Sequence, residues 1–391
     1  MCLDASVFAA MLKDSDCLNL KKLQYKYSPA AVTEFLRLAE EQLYVPLSIR
    51  DFNGRPLVYS DFWPRGSEEA MRVLLTPRFD GEVFGSDAME EEIYSSLKIE
   101  NIESSRDVIH RILKGCAPTN EEEARVFGMK KGLEFIGNSE NTITEENLYT
   151  LYRLTVGEYL PPENRLLPGR YYRHDSVFVI GQNVEHEGLA HARLPEYMAE
   201  LMAFIREPSP MDDMVKAALI HFYIAYLHPY FDGNGRTARL VQLWYLVQCG
   251  YPSALFVPIS AYIRETKNRY YKAFRQVEDN ALISGRIDAA PFLCYFTENV
   301  YDRLRDDRAA DSAAERYRCA LREGRITRKE AALWEFVLSH YGRGEFSTKQ
   351  LERDCGAAAY ATIRAFVLKF TELGLLLRTD YGSRPRYRVL T

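Results

Sequence analysis

Between residues 228 and 239 the sequence reads His-Pro-Tyr-Phe-Asp-Gly-Asn-Gly-Arg-Thr-Ala-Arg, a stretch that sharply limits how the surrounding chain can fold. Proline disfavours α geometry in the residue before it, so a helix arriving from the N-terminal side must stop at His228. Gly233-Asn234-Gly235 then makes a tight turn in which bulkier residues would obstruct the backbone. Upstream, Val215, Ala218, Leu219, Phe222, Ala225 and Tyr226 recur at helical spacing, and Ser209-Pro210-Met211-Asp212 reads as the helix start. Downstream, Ala238, Val241, Leu243, Trp244 and Val247 resume that period until Cys249-Gly250-Tyr251-Pro252. The expected local architecture is helix, glycine loop, helix. The second helix begins near Gly235, with its N-terminal amides and dipole facing the loop, where an anion is favoured.

Each residue type in the loop suits one part of a nucleoside triphosphate. His228 can accept a proton near neutral pH. Asp232 offers hard oxygen ligands for a Mg²⁺ that bridges phosphates. The Gly233-Asn234-Gly235 backbone can form an anion nest. Arg236 and Arg239 lie three apart, so on a helix both face one side and can grip phosphate oxygens. The loop also scans as Gly-x-Gly-x-x-Ala, but a dinucleotide fingerprint requires a preceding strand and here a helix precedes. His186 and His191 are five apart and share no helical face, so they make no zinc site. His221 reads as a packing histidine, and His110, His174 and His340 have no partner pattern.

The 228–239 stretch resembles the signature of the Fic family, His-Pro-Phe-x-Asp/Glu-Gly-Asn-Gly/Lys-Arg-x-x-Arg, with Tyr230 in place of the usual Phe. A core tyrosine there is expected to need a partner for its hydroxyl. Ser96-Leu97-Lys98-Ile99-Glu100-Asn101 resembles the family's inhibitory helix, Ser/Thr-x-x-x-Glu-Gly/Asn, on a segment with helical character from Met89 to Ile102. The resemblance implies that Glu100 pairs with Arg239 in the place of the γ-phosphate, with Ser96 and Asn101 completing the motif. The nearby Ser104-Ser105-Arg106-Asp107-Val108-Ile109 lacks the acid at the needed place. Residues 170–181, rich in β-formers and closing on Gly181, resemble the hairpin flap that holds a target segment as an added strand. Tyr271 falls where the family places an adenine-contacting tyrosine; its neighbour Tyr270 points to another side of the helix.

Taken together, the resemblance implies a protein adenylyltransferase that uses ATP and Mg²⁺. His228 would be the base and Asp232 the metal ligand. Gly233, Asn234, Gly235, Arg236, Arg239 and Tyr271 would hold the nucleotide, and Glu100 would inhibit. The partner implied is a protein with a Ser, Thr or Tyr hydroxyl docked on the flap. Doc-type relatives, which transfer the γ-phosphate, carry Lys where this chain has Gly235. Two other readings stand beside it: a hydrolase that removes AMP, in which Glu100 positions water, and a nucleotide-sensing, DNA-binding regulator.

Bulk properties agree with a globular, mainly α chain. Hydrophobic residues make up 47% and charged residues 27%, and the net charge is −5, which argues against wholesale binding of nucleic acid or anionic membrane. Seven scattered cysteines without a Cys-x-x-Cys pair, no basic leader and no membrane-length apolar run lead to the expectation of a cytoplasmic protein. Four portions are expected: a mixed helix and strand extension at 1–86, a Fic helical bundle with its inhibitory helix and flap at 87–301, a charged linker at 302–325, and a winged helix-turn-helix at 326–391. Arg378, Arg384, Arg386 and Arg388 on the wing admit DNA contact, whereas the third helix, with Arg364 and Lys369 alone, is a poor groove reader. Dimerisation or substrate docking is the equal alternative for that unit.

Overall fold

The computed structural model describes residues 5–60, 81–180, 184–251, 254–255, 257–303, 316–317, 319–321, 323–341, 345–356, 358–381 and 384–389. Those residues are mainly helical, with three two-stranded antiparallel hairpins. Contacts divide the chain into two compact units, Met1–Asp302 and Arg303–Thr391. No helix among the described residues is long and apolar enough to cross a membrane.

In the first unit the order is α1 (Ala5–Lys13), α2 (Leu20–Tyr27), α3 (Pro29–Gln42), β1 (Val45–Arg50), β2 (Pro56–Tyr59), α4 (Gly81–Ile99), α5 (Arg106–Leu113), α6 (Glu121–Gly137) and α7 (Glu145–Thr155). Then come β3 (Phe178–Ile180), β4 (Val184–Glu187), α8 (Leu194–Arg206), α9 (Asp213–Leu227), α10 (Asn234–Gln248), α11 (Ile259–Glu265), α12 (Lys267–Ser284) and α13 (Ala290–Phe296). Helices α9 and α10 form the centre. Every residue from Met214 to Ile224 is buried, as is every residue from Arg236 to Leu246, so both helices are wrapped on all sides rather than laid on a surface.

Helix α9 starts later than Ser209. Asp212 is its cap, accepting from the amides of Met214 at 2.8 Å and Val215 at 3.2 Å, whereas Ser209 Oγ meets only the Met211 amide. A carboxylate that takes two amides at the positive end of the helix outcompetes the single hydroxyl upstream. Inside the bundle the polar groups are paired. The His221 ring lies between Gln242 Oε1 at 2.6 Å and the Tyr270 hydroxyl at 2.8 Å, and Gln242 donates onward to the Tyr301 hydroxyl, which donates to the Met214 carbonyl. Burial pushes the His221 pKa down to about 3, so the ring is neutral and structural.

The 45–59 hairpin packs directly on this bundle. Tyr223 and Tyr197 donate to the carbonyls of Arg50 and Asp51, and Val58 pairs its backbone with Ile287 and Ala289. Phe52 at the hairpin tip stacks on Tyr226, ring centroids 4.2 Å apart.

The second unit contains α14 (Arg328–His340), α15 (Thr348–Cys355), α16 (Tyr360–Glu372) and the hairpin β5 (Leu376–Tyr381) with β6 (Arg384–Val389). Thr327 with Glu330, and Ser347 with Gln350, form complete capping boxes that start α14 and α15. Trp334, Val337, Leu351, Ile363, Phe366, Phe370 and Tyr387 make its core. Most of the expected 302–325 linker, and the Gly382-Ser383 turn, lie outside the described residues.

One expectation inside the core fails. Tyr230 is fully buried and stacked on Tyr152, centroids 3.7 Å apart and 6° from parallel, yet neither hydroxyl has a hydrogen-bond partner among the described residues. The ring stack decides the placement and leaves the two hydroxyls stranded. Tyr172, by contrast, donates to Glu145 at 2.6 Å. Removing a stranded hydroxyl is nearly free, whereas removing a bonded one costs about 1 kcal/mol. Thermal melting of Tyr230→Phe should therefore match or exceed the parent, while Tyr172→Phe melts lower. A clear loss in Tyr230→Phe would mean that its hydroxyl has a partner after all.

Candidate active site

The candidate base, His228, sits where helix α9 ends. His228 continues the helix by one bond, its amide donating to Ile224, and then turns left-handed at φ 53° ahead of Pro229. Its Nδ1 lies 3.2 Å from the Ala225 carbonyl, so Nδ1 carries the proton and Nε2 keeps the lone pair. Burial, reinforced by the neighbouring His186, lowers its pKa to about 4. The imidazole is thus a neutral proton acceptor at physiological pH.

Beyond it the loop is braced from within. Asn234 donates to the Tyr230 carbonyl and accepts from the Tyr230 amide, both at 2.9 Å, so its side chain holds the loop shut while its backbone lines the cavity. Gly233 is left-handed at φ 78°, and a Cβ there would strike Val156. A Cβ on Gly235 would collide with the Glu100 carboxylate. Asp232 stays half exposed at 56%, one oxygen on the Gly233 amide at 2.5 Å and the other 3.3 Å from Arg236.

The two arginines are almost fully enclosed by α10 and its neighbours, yet Arg236 Nε and Arg239 Nη1 have no hydrogen-bond partner among the described residues. A buried cation with an unspent N–H beside a glycine loop and a helix N-terminus is an incomplete anion site. The remaining Arg239 donors are occupied: Nε meets Ser96 Oγ at 3.0 Å, and Nη2 meets the Ser96 carbonyl at 3.1 Å and Glu100 at 2.8 Å.

Glu100 reaches Arg239 because of how α4 ends. The helix stops at Ile99 rather than continuing to Ile102. Asn101 turns left-handed at φ 56°, its amide bonds the Lys98 carbonyl, and the Ile102 amide bonds Leu97. That is a Schellman ending, which only Gly and Asn adopt readily, and it projects the cap residue Glu100 off the helix. Lys267 holds Asn101 at 2.8 Å, and the Tyr271 hydroxyl lies 3.4 Å from the Ile99 carbonyl. Further up α4, the buried Glu92 accepts from the amide and hydroxyl of Ser260 on α11.

Glu100, His228, Gly235, Tyr271, Phe274 and Glu278 line one cavity of about 170 Å³; Asp232, Arg236 and Arg239 are not among its lining residues. That volume is below the roughly 300 Å³ at which ligand pockets usually begin, and Glu100 occupies part of the space. Of the adjacent tyrosines, Tyr270 belongs to the core, bonded to His221 and 3% exposed, while Tyr271 faces the turn that carries Glu100.

Two residues near the base had no signal in the sequence. His186, on β4, lies with its ring 6.1 Å from that of His228, with Nδ1 2.5 Å from Glu278 and Nε2 2.7 Å from the Tyr226 carbonyl. Arg173 donates to the His228 carbonyl at 2.8 Å. The flap is also shorter than residues 170–181 suggested. Its strand begins at Phe178, because the preceding segment is held against the catalytic turn, with the Arg173 amide on Pro229.

With this geometry established, likeness to known proteins can be placed on it. The Fic/DOC family profile matches residues 142–246. The chain is 24% identical over 219 residues to the protein adenylyltransferase Fic of Drosophila yakuba and 22% identical over 223 residues to that of Culex quinquefasciatus. Both matches cover 54% of this chain and 40% of the relative, so the chain spans well under half the length of these curated relatives. A Fic family protein from Desulfovibrio desulfuricans G20 superposes on 83% of this chain and 97% of its own at TM-score 0.49 and 21% identity. A Fic domain containing signaling protein from Bacteroides thetaiotaomicron does so over 61% and 88% at TM-score 0.44 and 18% identity. The loop, α7 and α9 fall inside the matched residues, as does α10 up to Leu246, so it is this segment of the chain that is similar to the Fic/DOC family.

Proposed function

We propose that this chain is a protein adenylyltransferase that moves AMP from ATP to a Ser, Thr or Tyr hydroxyl of a target protein, held in check by Glu100. The observation that carries the reading is Arg239: a buried guanidinium with one donor unspent and another on a carboxylate that stands where a terminal phosphate would bind. The named relatives are protein adenylyltransferases, which agrees with it.

In this mechanism ATP lies with its phosphates over the Gly233-Asn234-Gly235 backbone and the start of α10. Arg239 takes the γ-phosphate once Glu100 withdraws, and Arg236 takes its neighbour. The target hydroxyl gives its proton to His228 Nε2 as its oxygen attacks the α-phosphorus. The bond from the α-phosphorus to the bridging oxygen breaks, pyrophosphate departs, and the imidazolium returns its proton to water. Loop amides and Arg236 offset the charge that builds on the phosphoryl oxygens. Asp232 fits a Mg²⁺ that arrives with the nucleotide, because its carboxylate is hard, half exposed and beside the phosphate loop. Among the described residues no group of three acidic, His or Cys side chains could hold an ion alone, so phosphate oxygens and water would complete the shell. When bound, that ion would lower the charge on the leaving pyrophosphate.

Tyr271 is assigned to the base of the nucleotide, and the β3–β4 flap to the target segment. Removal of AMP is the second reading, favoured by the Glu100 carboxylate, which lines the same cavity as His228 and could orient water. The three helices and hairpin of the second unit are read as a winged helix; α16 exposes Tyr360, Arg364 and Leu368, which suits protein docking better than a DNA groove. The free cysteines among the described residues suit a cytoplasmic setting.

Transfer of label from ATP tagged at the α- or the γ-phosphate distinguishes the chemistries. Only α-label should reach protein, rising at least about tenfold in Glu100→Gly and falling at least about a hundredfold in His228→Ala. Label from the γ-position would make the chain a kinase, and no label in either protein with Mg²⁺ present would favour AMP removal. The pH dependence gives a separate check. Because the folded His228 pKa is lowered to about 4, the base stays neutral through the mildly acidic range. The transfer rate should hold steady from about pH 7.5 down to about pH 5.5, instead of halving near the ordinary histidine value of about 6.5. A profile that bends near 6.5 would remove His228 from the role or the burial from the account.

A further inference from the structure

We infer that Arg173 is a positioning residue for the transfer: it locks the backbone of His228 in its left-handed turn and ties that turn to both ends of the flap, so that base and target segment are held as one body. The inference rests on the adenylyltransferase reading above, but its geometry stands independently.

Arg173 is buried to 2% exposure, and its hydrogen bonds go to carbonyls, none to a carboxylate. Nε donates to His228 at 2.8 Å, Nη1 to Asp175 at 2.6 Å, and Nη2 to Leu189; its own amide donates to Pro229 at 3.0 Å. The three guanidinium acceptors belong to three separate pieces of chain: the catalytic turn, the approach to β3, and the exit from β4. Two further backbone bonds close the arrangement, Gly188 to Val177 and Leu189 to Leu227, each 3.1 Å. Gly188 leaves the room this needs, since a Cβ there would stand 2.8 Å from Arg173 Nη2 and 3.0 Å from His228 Cβ.

Burying a guanidinium is costly when only the nearby Asp175 charge, and no hydrogen-bonded carboxylate, offsets it, and filling space alone would not call for one. What the planar fork supplies is simultaneous, directed donation to three carbonyls, which a lysine ammonium cannot reproduce in this geometry. One of those carbonyls belongs to a non-glycine residue in a conformation that L-residues avoid, so the turn needs an outside restraint. The charge has a second consequence for the base. The charged or titratable groups around the His228 ring are His186 from β4, Arg173 from the approach segment and Glu100 from the turn after α4. Arg173 and His186 oppose protonation of the ring, and Glu100 favours it. Losing Arg173 must therefore raise the His228 pKa as well as loosen the turn.

The test uses the full chain carrying Glu100→Gly, with Arg173→Gln or Arg173→Lys added. Two readouts are taken: steady-state transfer of α-label, and the titration midpoint of His228 by NMR of ring-labelled histidine, assigned with His228→Ala. The Gln variant should lose at least about tenfold in kcat with KM for ATP within about twofold, since the nucleotide loop is untouched. Its His228 midpoint should rise by about half a unit or more, because a positive neighbour is gone. The Lys variant should keep the parent midpoint and show an intermediate kcat, having the charge but not the fork. A folded Gln variant with parental kcat and midpoint would overturn the proposal, as would a loss confined to KM for ATP with no shift in midpoint. If the Gln variant does not fold, the Lys variant decides, and a parental kcat there overturns it. Should the Glu100→Gly parent transfer no label, the adenylyltransferase reading fails, and the His228 midpoints alone still judge Arg173.

Discussion

Arg239 is a permanent cation placed at the centre of a helical bundle, and much of the site is arranged around the need to neutralise it. A guanidinium so deeply buried is unfavourable unless its donors find acceptors. Here a serine hydroxyl, a backbone carbonyl and one carboxylate satisfy most of them, and one donor is left over. The carboxylate comes from Glu100, on the turn after α4, 139 residues away in sequence. A nucleotide phosphate would satisfy the same donors at least as well. On the proposed reading, the contact that completes the folded structure is the one that a nucleotide would replace, which would couple the stability of α4 to occupancy of the site.

Competition of that kind would work only if the segment carrying Glu100 is held in place. The Schellman ending sets the direction of Glu100, and Lys267 and Tyr271 grip the turn from α12. Glu92 fastens the body of α4 to α11 through Ser260. The close fit of Gly235 against Glu100 shows from the other side how little space remains, since any side chain at that position would expel the carboxylate. On the opposite wall, His228 is held by backbone contacts rather than by a carboxylate: its Nδ1 faces the Ala225 carbonyl and its own carbonyl accepts from Arg173.

Much of this centre was legible in the residues, because it is written in local chemistry. Pro229 had to end a helix, Gly233-Asn234-Gly235 had to turn tightly, and arginines three apart on a helix had to face together. The motif 96–101 was matched to Arg239 only through the family resemblance, since a Ser, a Glu and an Asn at those spacings equally suit a solvated helix face. Errors fell where local rules compete. The start of α9 was read at Ser209, but the Asp212 carboxylate, which accepts from two amides, prevailed. The flap strand was drawn too long because β-forming residues also suit an irregular segment pinned by Arg173.

The sequence alone determined the helix–loop–helix and brought His228, Arg236 and Arg239 forward as candidates for phosphate chemistry, whereas helix was expected through Ile102 and the turn at Asn101 that carries Glu100 emerged only in the structure. Only the tertiary structure decided that His186 stands beside His228 and is held by Glu278, that Phe52 of the distant hairpin stacks on Tyr226, and that Arg173 bonds the catalytic turn. It also decided that Tyr230 stacks on Tyr152 with its hydroxyl unpaired. Those contacts join segments tens to hundreds of residues apart. No spacing rule relates such residues, because their proximity is set by how whole helices pack and not by the dihedral preferences of the chain between them.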